Sequence, residues 1–407
     1  MKIAIVSFGY FWTPVESGPT RFFEIANTFL NSGYDVEVIT TDFQHYDKIK
    51  RDTEKILAQN YPFKITFIHS PKYKKNIDVR RIVSNIVASK NVKNYLEEHI
   101  NEYSVVYCSI PANDVAAAVS EICYKNGVPC VVDIEDLWPE AMEMVVKSRV
   151  LRKVLFKPFY ADAEKVYRYA SGVIGTSQDY TERAFKRQKR SIPKDTVYVG
   201  CNLKDFDDGV HEFSGTIKKA TDEFWVTYAG SISTSYDIKT LILVADKLRK
   251  EGNPNIKIQI LGTGSLKEEL ETFVKTENIV NVKFWGFVPY KMMSAVLSKS
   301  DIVINSFIKG APQSIVNKVG DYLASGKAMI NSLENPVFCE LVMKNNVGLN
   351  IEPENVDVLF DAILKLRHDE NLRKSMGVNA RNLAINEFDR NTSYERIVKM
   401  VKNVCNR

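Results

Sequence analysis

The sequence offers little from which to build covalent or metal staples. Its six cysteines, Cys108, Cys123, Cys130, Cys201, Cys339 and Cys405, are scattered over 407 residues, with no C-x-x-C pair and no histidine at ligand spacing. Neither a zinc site nor a disulfide framework is signalled, and reduced thiols in the cytosol are the expectation. No stretch reaches the roughly 18 to 20 apolar residues that a spanning helix needs, so any membrane contact is expected to be peripheral. The opening MKIAIVSFGY has one lysine and a short apolar run, too little for a secretory signal, and reads as a buried strand. Charge of one sign is not in excess: 55 basic against 50 acidic residues leave a net +5, which argues against a dedicated nucleic-acid binder. Fixed-period repeats and low-complexity tracts are missing. So is G-x-G-x-x-G after the first strand, where the loop reads SFGYFWTPVESGPTRFFEIA, and a nicotinamide or flavin enzyme is thereby disfavoured.

What is present is enough for packed cores: 45% of the residues are hydrophobic and 26% charged. At roughly 150 residues per domain the length suits two domains. Short β-rich runs alternate with segments of helical period, the pattern of an α/β parallel sheet covered by helices. Strands are predicted at Lys2 to Phe8, Asp35 to Thr40, Ile65 to Ile68, Val105 to Ser109, Pro129 to Asp133, Val173 to Gly175 and Val197 to Val199. A charged loop, LKDFDDGVHEFSGTIKKATDEF, is expected next. The pattern then restarts at Trp225 to Ala229, Lys257 to Leu261, Val282 to Trp285, Ile302 to Asn305 and Ala328 to Asn331, which puts a domain boundary near residues 195 to 220. The stripe Ile238, Leu241, Ile242, Ala245 and Leu248 predicts a helix over Asp237 to Lys250. Ser265 with Glu268 predicts a capping box, and Gly326 the end of a helix through Tyr322 and Leu323.

Gly18 stands just before a helix with Arg21 in its first turn, so bare amides and a guanidinium are placed to face an anion. Two comparable loops, GSISTSYD and GTGS, follow strands in the second half. With APQSIVNKVGDYLASGKAMINS they form an ordered set, and on that order the chain resembles the GT-B glycosyltransferases, of the retaining family-four type that builds bacterial O-antigens and capsules. The resemblance runs from SGPTRFFEIANTFLNSGYDVEVIT and DIEDLWPE through YAGSISTSYDIKTLI, ILGTGSLKEEL and VKFWGFVPYKMM to NKVGDYLASGKAMI. It implies an α/β GT-B fold of two Rossmann-like domains facing across a cleft: residues 1–199 for the acceptor, 200–387 for the nucleotide sugar, and 388–407 as a helix crossing back to the first domain.

The site residues follow from the same resemblance. Asp321 occupies the place of the family's ribose-binding acid, where a carboxylate offers two acceptors to a vicinal diol. The family's other acid, eight positions earlier, is Gln313 here, whose amide is expected on the donor sugar. Asn317 and Lys318 match the subfamily's N-K, with Ser314, Ile315 and Val316 presenting amides to the diphosphate and Lys318 stabilising the leaving group. Ser231 and Tyr236, after Gly230, replace an arginine and a lysine of the wider family, leaving more of the phosphate charge to Lys318 and Arg21. The turn Gly286 to Pro289, with Phe287 and Val288, matches the base-binding turn, and Gly262 lies where the nucleotide comes close; the turn suits uracil and leaves guanine and adenine open.

On the acceptor side Glu135 and Asp136 replace the H-D of many relatives. Either carboxylate is a candidate to orient the acceptor hydroxyl or take its proton, with Trp138 to stack on a sugar ring. Asp205 and Asp207 spell D-x-D by chance, and no carboxylate pair demands a glycoside hydrolase, so no metal and no cofactor beyond the donor are expected. Basic residues gather at Lys72, Lys74, Lys75, Arg80, Arg81, Lys90 and Lys93, and at Lys147, Arg149, Arg152, Lys153 and Lys157 among Val146, Val150, Leu151, Val154, Leu155 and Phe156; Arg183, Lys186, Arg187, Lys189 and Arg190 are candidates to extend them. Such a surface suits an anionic leaflet or a lipid diphosphate. The expectation is a transferase moving a hexose or N-acetylhexosamine from a UDP-sugar to a lipid-linked saccharide, peripheral on the cytoplasmic face of the cell membrane. A UDP-sugar 2-epimerase of the same architecture and a non-catalytic saccharide- or lipid-binding protein are the alternatives.

Overall fold

The computed structural model describes residues 1–16, 20–75, 78–140, 148–186 and 190–407. The chain divides into two compact units, Met1–Tyr198 with Ser393–Arg407, and Val199–Thr392.

In the first unit the strands are β1 (Lys2–Val6), β2 (Asp35–Thr41), β3 (Phe43–Gln44), β4 (Ile49–Lys50), β5 (Lys64–Ile68), β6 (Val105–Ile110), β7 (Cys130–Ile134), β8 (Gly172–Gly175) and β9 (Lys194–Thr196). Seven of them form one parallel sheet in the order β5-β2-β1-β6-β7-β8-β9, and β3 pairs with β4 as a small antiparallel hairpin. The VVYCSI of β6 and CVVDI of β7 are buried along their whole length, because helices cover both faces of a parallel sheet. On one face helix Arg21–Asn31 turns Phe22, Ile25, Ala26 and Phe29 inward. They meet Ile3, Ile5, Val38 and Tyr107 in a core that also takes Ile397, Val398, Val401 and Val404 of the C-terminal helix. Each such side chain contributes about 1.5–3 kcal/mol of transfer free energy, which is what holds the end of the chain to this unit. On the other face Val92 and Leu96 of helix Val79–His99 and Val115, Val119 and Ile122 of helix Asn113–Lys125 close a second core.

The second unit holds β10 (Phe224–Ala229), β11 (Ile256–Leu261), β12 (Val282–Gly286), β13 (Ile302–Asn305), β14 (Ala328–Asn331) and β15 (Gly348–Asn350), all parallel, in the order β12-β11-β10-β13-β14-β15. Helix Ile238–Lys250 lies on this sheet with Ile238, Leu241, Ile242, Ala245 and Leu248 buried, and Asp237 caps it by accepting from the Thr240 amide at 3.1 Å. In both units the first strand sits between neighbours reached by crossovers in opposite directions, β1 between β2 and β6 and β10 between β11 and β13. Crevices for ligands open beyond the carboxyl ends of strands at such switch points.

Several expectations are corrected. The charged segment after residue 202 is a helix, Leu203–Phe213, capped by the Asn202 side chain on the Asp205 amide at 3.2 Å and burying Leu203 and Phe206. Asp205 and Asp207 therefore lie on a helix, and Asp207 pairs with Arg381 at 2.6 Å. The strand expected at Val197 to Val199 is formed three residues earlier, as β9. The capping box at Ser265 does not form: helix Lys267–Thr276 begins behind Leu266 with no side-chain cap. Backbone bonds do that work, from the Leu266 amide to the Ile232 carbonyl and from Lys267 to Gly264.

Candidate functional site

At the switch point of the second unit the end of β10 carries Tyr228, Ala229 and Gly230. Helix Lys318–Ala324 is fastened there by Tyr322, whose hydroxyl accepts from the Ala229 amide at 2.8 Å and donates to the Ala229 carbonyl at 3.0 Å. This brings Lys318 beside Gly230. A Cβ at residue 230 would lie 3.4 Å from Lys318 Nζ, so glycine keeps that approach clear. Lys318 Nζ stands 4.2 Å from the ring centroids of both Tyr228 and Tyr236 and 5.1 Å from that of Phe307. Its Nζ is buried and has no hydrogen-bond partner among the described residues. Burial pushes the amine well below the usual lysine range.

The glycine loops stack on one another. Gly262 has φ +133°, and a Cβ there would come within 1.8 Å of the Gly230 carbonyl oxygen. The Gly230 amide bonds the Leu261 carbonyl, and the Gly262 amide bonds that of Gly286. Three strand ends thus present backbone at one surface, beside the exposed carbonyl-bearing residue Ser231, which accepts from the Tyr228 hydroxyl at 2.6 Å. The turn after Gly286 exposes Phe287, half-buries Val288 and leads through Pro289 into helix Tyr290–Lys299. Tyr290, its first residue, donates its hydroxyl to Asp321 Oδ1 at 2.8 Å. Burial pushes the Asp321 carboxyl up to about 6, with Tyr290 and Arg390 pulling it down. Base turn and ribose-candidate acid are therefore joined by one side chain. Gln313 Oε1 is buried without a partner among the described residues. Ser314 is buried, Ile315 and Val316 are half-buried, and Asn317 precedes the first helical residue, its side chain making no cap bond.

In the first unit a cavity of about 810 Å³ opens beyond β1, β2 and β6, walled by Phe8, Tyr10, Tyr46, Tyr73, Trp138 and Phe156 with Arg81 and Asp136 among its polar groups. Asp136 accepts from the Leu137 amide at 2.8 Å, and burial raises its carboxyl above the ordinary range. Trp138 is buried and lies under the Arg81 guanidinium, 4.4 Å from the ring centroid. Arg81, expected in an open basic patch, is thus drawn into the cavity wall. His45, also in the wall, is held neutral, its pKa lowered to about 3 by burial and by Arg81 and Lys48.

Glu135 turns the other way. It pairs with Arg21 at 2.9 Å, while Arg21 Nη2 reaches Asp133 at 3.0 Å and Nη1 reaches the Tyr198 carbonyl at 3.1 Å and the Tyr394 hydroxyl at 3.3 Å. Asp133 also accepts from the Tyr107 hydroxyl at 2.6 Å. The anions that Arg21 faces are this chain's own carboxylates, and its side chain is 3% exposed. Gly18 lies outside the described residues, as do Lys147, Arg187 and Lys189. Arg183, expected on the basic surface, is buried against Glu140 and Glu164. The described residues contain no cluster of acids, histidines and cysteines able to hold a metal.

Comparisons with known proteins bear on the fold and on the second unit's likeness to a family. Residues 211–383, within the second unit, match the family model described as glycosyl transferases group 1. The Anabaena protein HepE, solved in complex with UDP, shares 15% identity over 99% of this chain and 100% of its own, with a TM-score of 0.71. WaaG, a glycosyltransferase involved in lipopolysaccharide biosynthesis, gives a TM-score of 0.66 at 15% identity, over 98% of this chain and 99% of its own. The fold is GT-B, two parallel-sheet Rossmann-like units. Among curated proteins the uncharacterised glycosyltransferase MJ1069 of Methanocaldococcus jannaschii is 22% identical over 52% of this chain, and the putative colanic acid biosynthesis glycosyl transferase WcaI of Escherichia coli K12 is 28% identical over 34%. The matches span 53% and 34% of those two relatives' own lengths, about half or less.

Tyr228, Phe307 and Tyr290 escaped the sequence reading, and Arg81 was read only as part of a basic patch. Only Tyr290, one residue past the GFVP turn, carried a positional signal; Tyr228 and Phe307 meet Lys318 from β10 and from the loop after β13.

Proposed function

We propose that the chain is a retaining glycosyltransferase that moves a hexose or N-acetylhexosamine from a UDP-sugar to a lipid-linked saccharide in cell-surface polysaccharide synthesis. The observation that carries this reading is Lys318 and Asp321, three residues apart on one helix at the switch point of the second sheet, inside the segment of glycosyl transferase group 1 type. In it Asp321, held by Tyr290, takes the ribose hydroxyls, Phe287 and Val288 border the base, and Gln313 turns its unpartnered carbonyl to the donor sugar. Gly230 and Gly262 admit the diphosphate, with Ser231, Tyr236 and the Ser314 to Asn317 turn around it. Lys318 stabilises the charge that grows on the diphosphate as the glycosidic bond breaks. The leaving phosphate helps to deprotonate the acceptor on the same face of the sugar, which retains configuration without a carboxylate nucleophile.

In this reading Asp136, which faces the cavity of the first unit, orients the acceptor hydroxyl, and Glu135 serves the interior through Arg21. The lipid-linked acceptor is supported by exposed apolar side chains of the first unit, of which Val79 and Ile82 line that cavity. Val79, Ile82, Val83 and Ile86 on one helix and Val150, Leu151, Val154 and Leu155 on another are all exposed, and Arg80, Lys72, Lys74 and Lys75 stand near the first group in sequence. Apolar side chains interleaved with cations suit the surface of an anionic leaflet. No helix among the described residues is long and apolar enough to cross a membrane, and peripheral binding at the cytoplasmic face is the form this association takes.

The test supplies UDP-glucose or UDP-N-acetylglucosamine with and without a lipid-linked oligosaccharide fraction and follows UDP. Release that depends on acceptor, with an α-linked product, supports the proposal. Conversion of the UDP-sugar alone to its 2-epimer, or binding with no turnover on any acceptor, overturns it.

A further inference from the structure

Lys318 is a buried amine without an anion. Tyr228 from β10, Tyr236 from the loop after it and Phe307 from beyond β13 wall it in, and the walls brace each other: the Tyr236 and Phe307 ring centroids are 4.9 Å apart, those of Tyr228 and Tyr236 6.1 Å. No acceptor reaches Nζ among the described residues, and no carboxylate pairs with it. The titratable groups around it are otherwise occupied. Both phenols are pushed up by burial and stay neutral, and the Tyr322 hydroxyl is spent on Ala229. Asp321, one turn along its own helix, is bonded to Tyr290, and Asp237, next to Tyr236, caps the Thr240 amide and accepts from that of Glu354. Ring faces return only part of what an ammonium loses when it leaves water.

We propose that Lys318 is a proton-linked diphosphate receptor: its amine takes up one proton from solvent as a nucleoside diphosphate enters, and Tyr228, Tyr236 and Phe307 hold it in position while it has no anion. The inference rests on the nucleotide-binding reading of this unit. Burial moves the free amine in the direction the proposal needs, well below the usual lysine range. The step balances as amine plus buffer proton giving ammonium beside the diphosphate, with no other bond made or broken. Donor affinity then falls as pH rises above the free amine's pKa, by about tenfold per unit while the linkage is complete.

Calorimetric titration with UDP at pH 8 to 9, in two buffers of different ionisation enthalpy, reads the proton directly, since UDP's own phosphate is already deprotonated there. The expected result is net uptake approaching one proton per UDP bound. Lys318→Met should bind more weakly with the uptake gone, and Lys318→Arg, which stays charged, should also show none. Tyr236→Phe keeps the box and the uptake; Tyr236→Ala admits water to the amine and reduces it. A carbon-13 lysine titration of the free protein, with the Lys318 signal assigned by its loss in Lys318→Arg, gives a second readout. Zero uptake in the unchanged protein, uptake retained in Lys318→Met, or Lys318 titrating with the surface lysines overturns the inference. If Lys318 titrates low while UDP binds nowhere, the nucleotide reading fails, and the receptor role fails with it.

Discussion

Replacing Arg21 by Met removes the cation from a buried cluster while keeping its bulk. The guanidinium lies 3.0 Å from Asp133 and 2.9 Å from Glu135, whose side chains are 0% and 7% exposed. Taking one partner from a buried ion pair costs about 3–5 kcal/mol, because the remaining charge has no water to turn to. Tyr107 still donates to Asp133, so we expect about 3 kcal/mol, at the lower end of that range. The pH dependence supplies the sign. Burial pushes the Glu135 carboxyl from 4.5 up to about 8, Arg21 pulling it down and Asp133 pushing it further up. A pKa raised on folding means that the folded chain holds the extra proton: this contribution is fully present below about 4.5 and is lost as pH rises towards about 8. Without Arg21 the ionised form of Glu135 loses its attraction and its pKa moves further up, so the Arg21→Met deficit, set at pH 6 by the bared Asp133, should grow only as pH passes about 8 and be larger at pH 9. Urea titrations at both pH values, read by pulsed hydrogen exchange of peptides from β6 and β7, isolate the first unit, and UDP binding checks that the second is intact. A variant within about 1 kcal/mol of the unchanged protein at both pH values, or a deficit that shrinks as pH rises, would refute the reasoning.

Asp321→Ala should weaken UDP by about 1–3 kcal/mol, the value of a charge-assisted hydrogen bond, and in the unchanged protein UDP affinity should fall as pH drops through about 6, where the carboxyl protonates; calorimetry showing undiminished affinity in the variant contradicts the ribose role. Gly262→Ala places a methyl 1.8 Å from the Gly230 oxygen at φ +133°, so both the melting temperature and UDP binding should drop, and a variant that binds UDP normally would count against the close approach. Asp136→Asn should cut acceptor-dependent turnover by about 10²-fold or more while sparing UDP binding, whereas Glu135→Gln should act mainly on stability; the reverse pattern in kinetics and denaturation would exchange the two roles. Binding to anionic vesicles should weaken with salt and diminish in Val150→Asp with Val154→Asp, and equal binding to neutral vesicles would remove the leaflet reading.

The sequence by itself determined the alternation of strand and helix, because it depends on local periodicity: the predicted strands of both units match the observed ones within about three residues. Positions read through short ordered motifs, such as Lys318 and Asp321 on one helix, were also legible, since three residues set their spacing whatever surrounds them. The D-x-D helix was legible too, since Leu203, Phe206, Val210 and Phe213 stand at i, i+3, i+7 and i+10 behind the capping Asn202, but the charges between them made the segment read as a loop. What the tertiary structure decided was which way side chains face and whom they meet. Adjacent carboxylates in the bend just past β7 diverge, Glu135 to Arg21 and Asp136 to the cavity, as the chain turns out of the sheet. Arg21 and Asp133 are 112 residues apart, and Tyr290 and Asp321 are 31 apart. Pairs at such separations have no signature in one sequence, and it is the parallel sheets, by bringing every strand's carboxyl end to one edge, that turn them into sites.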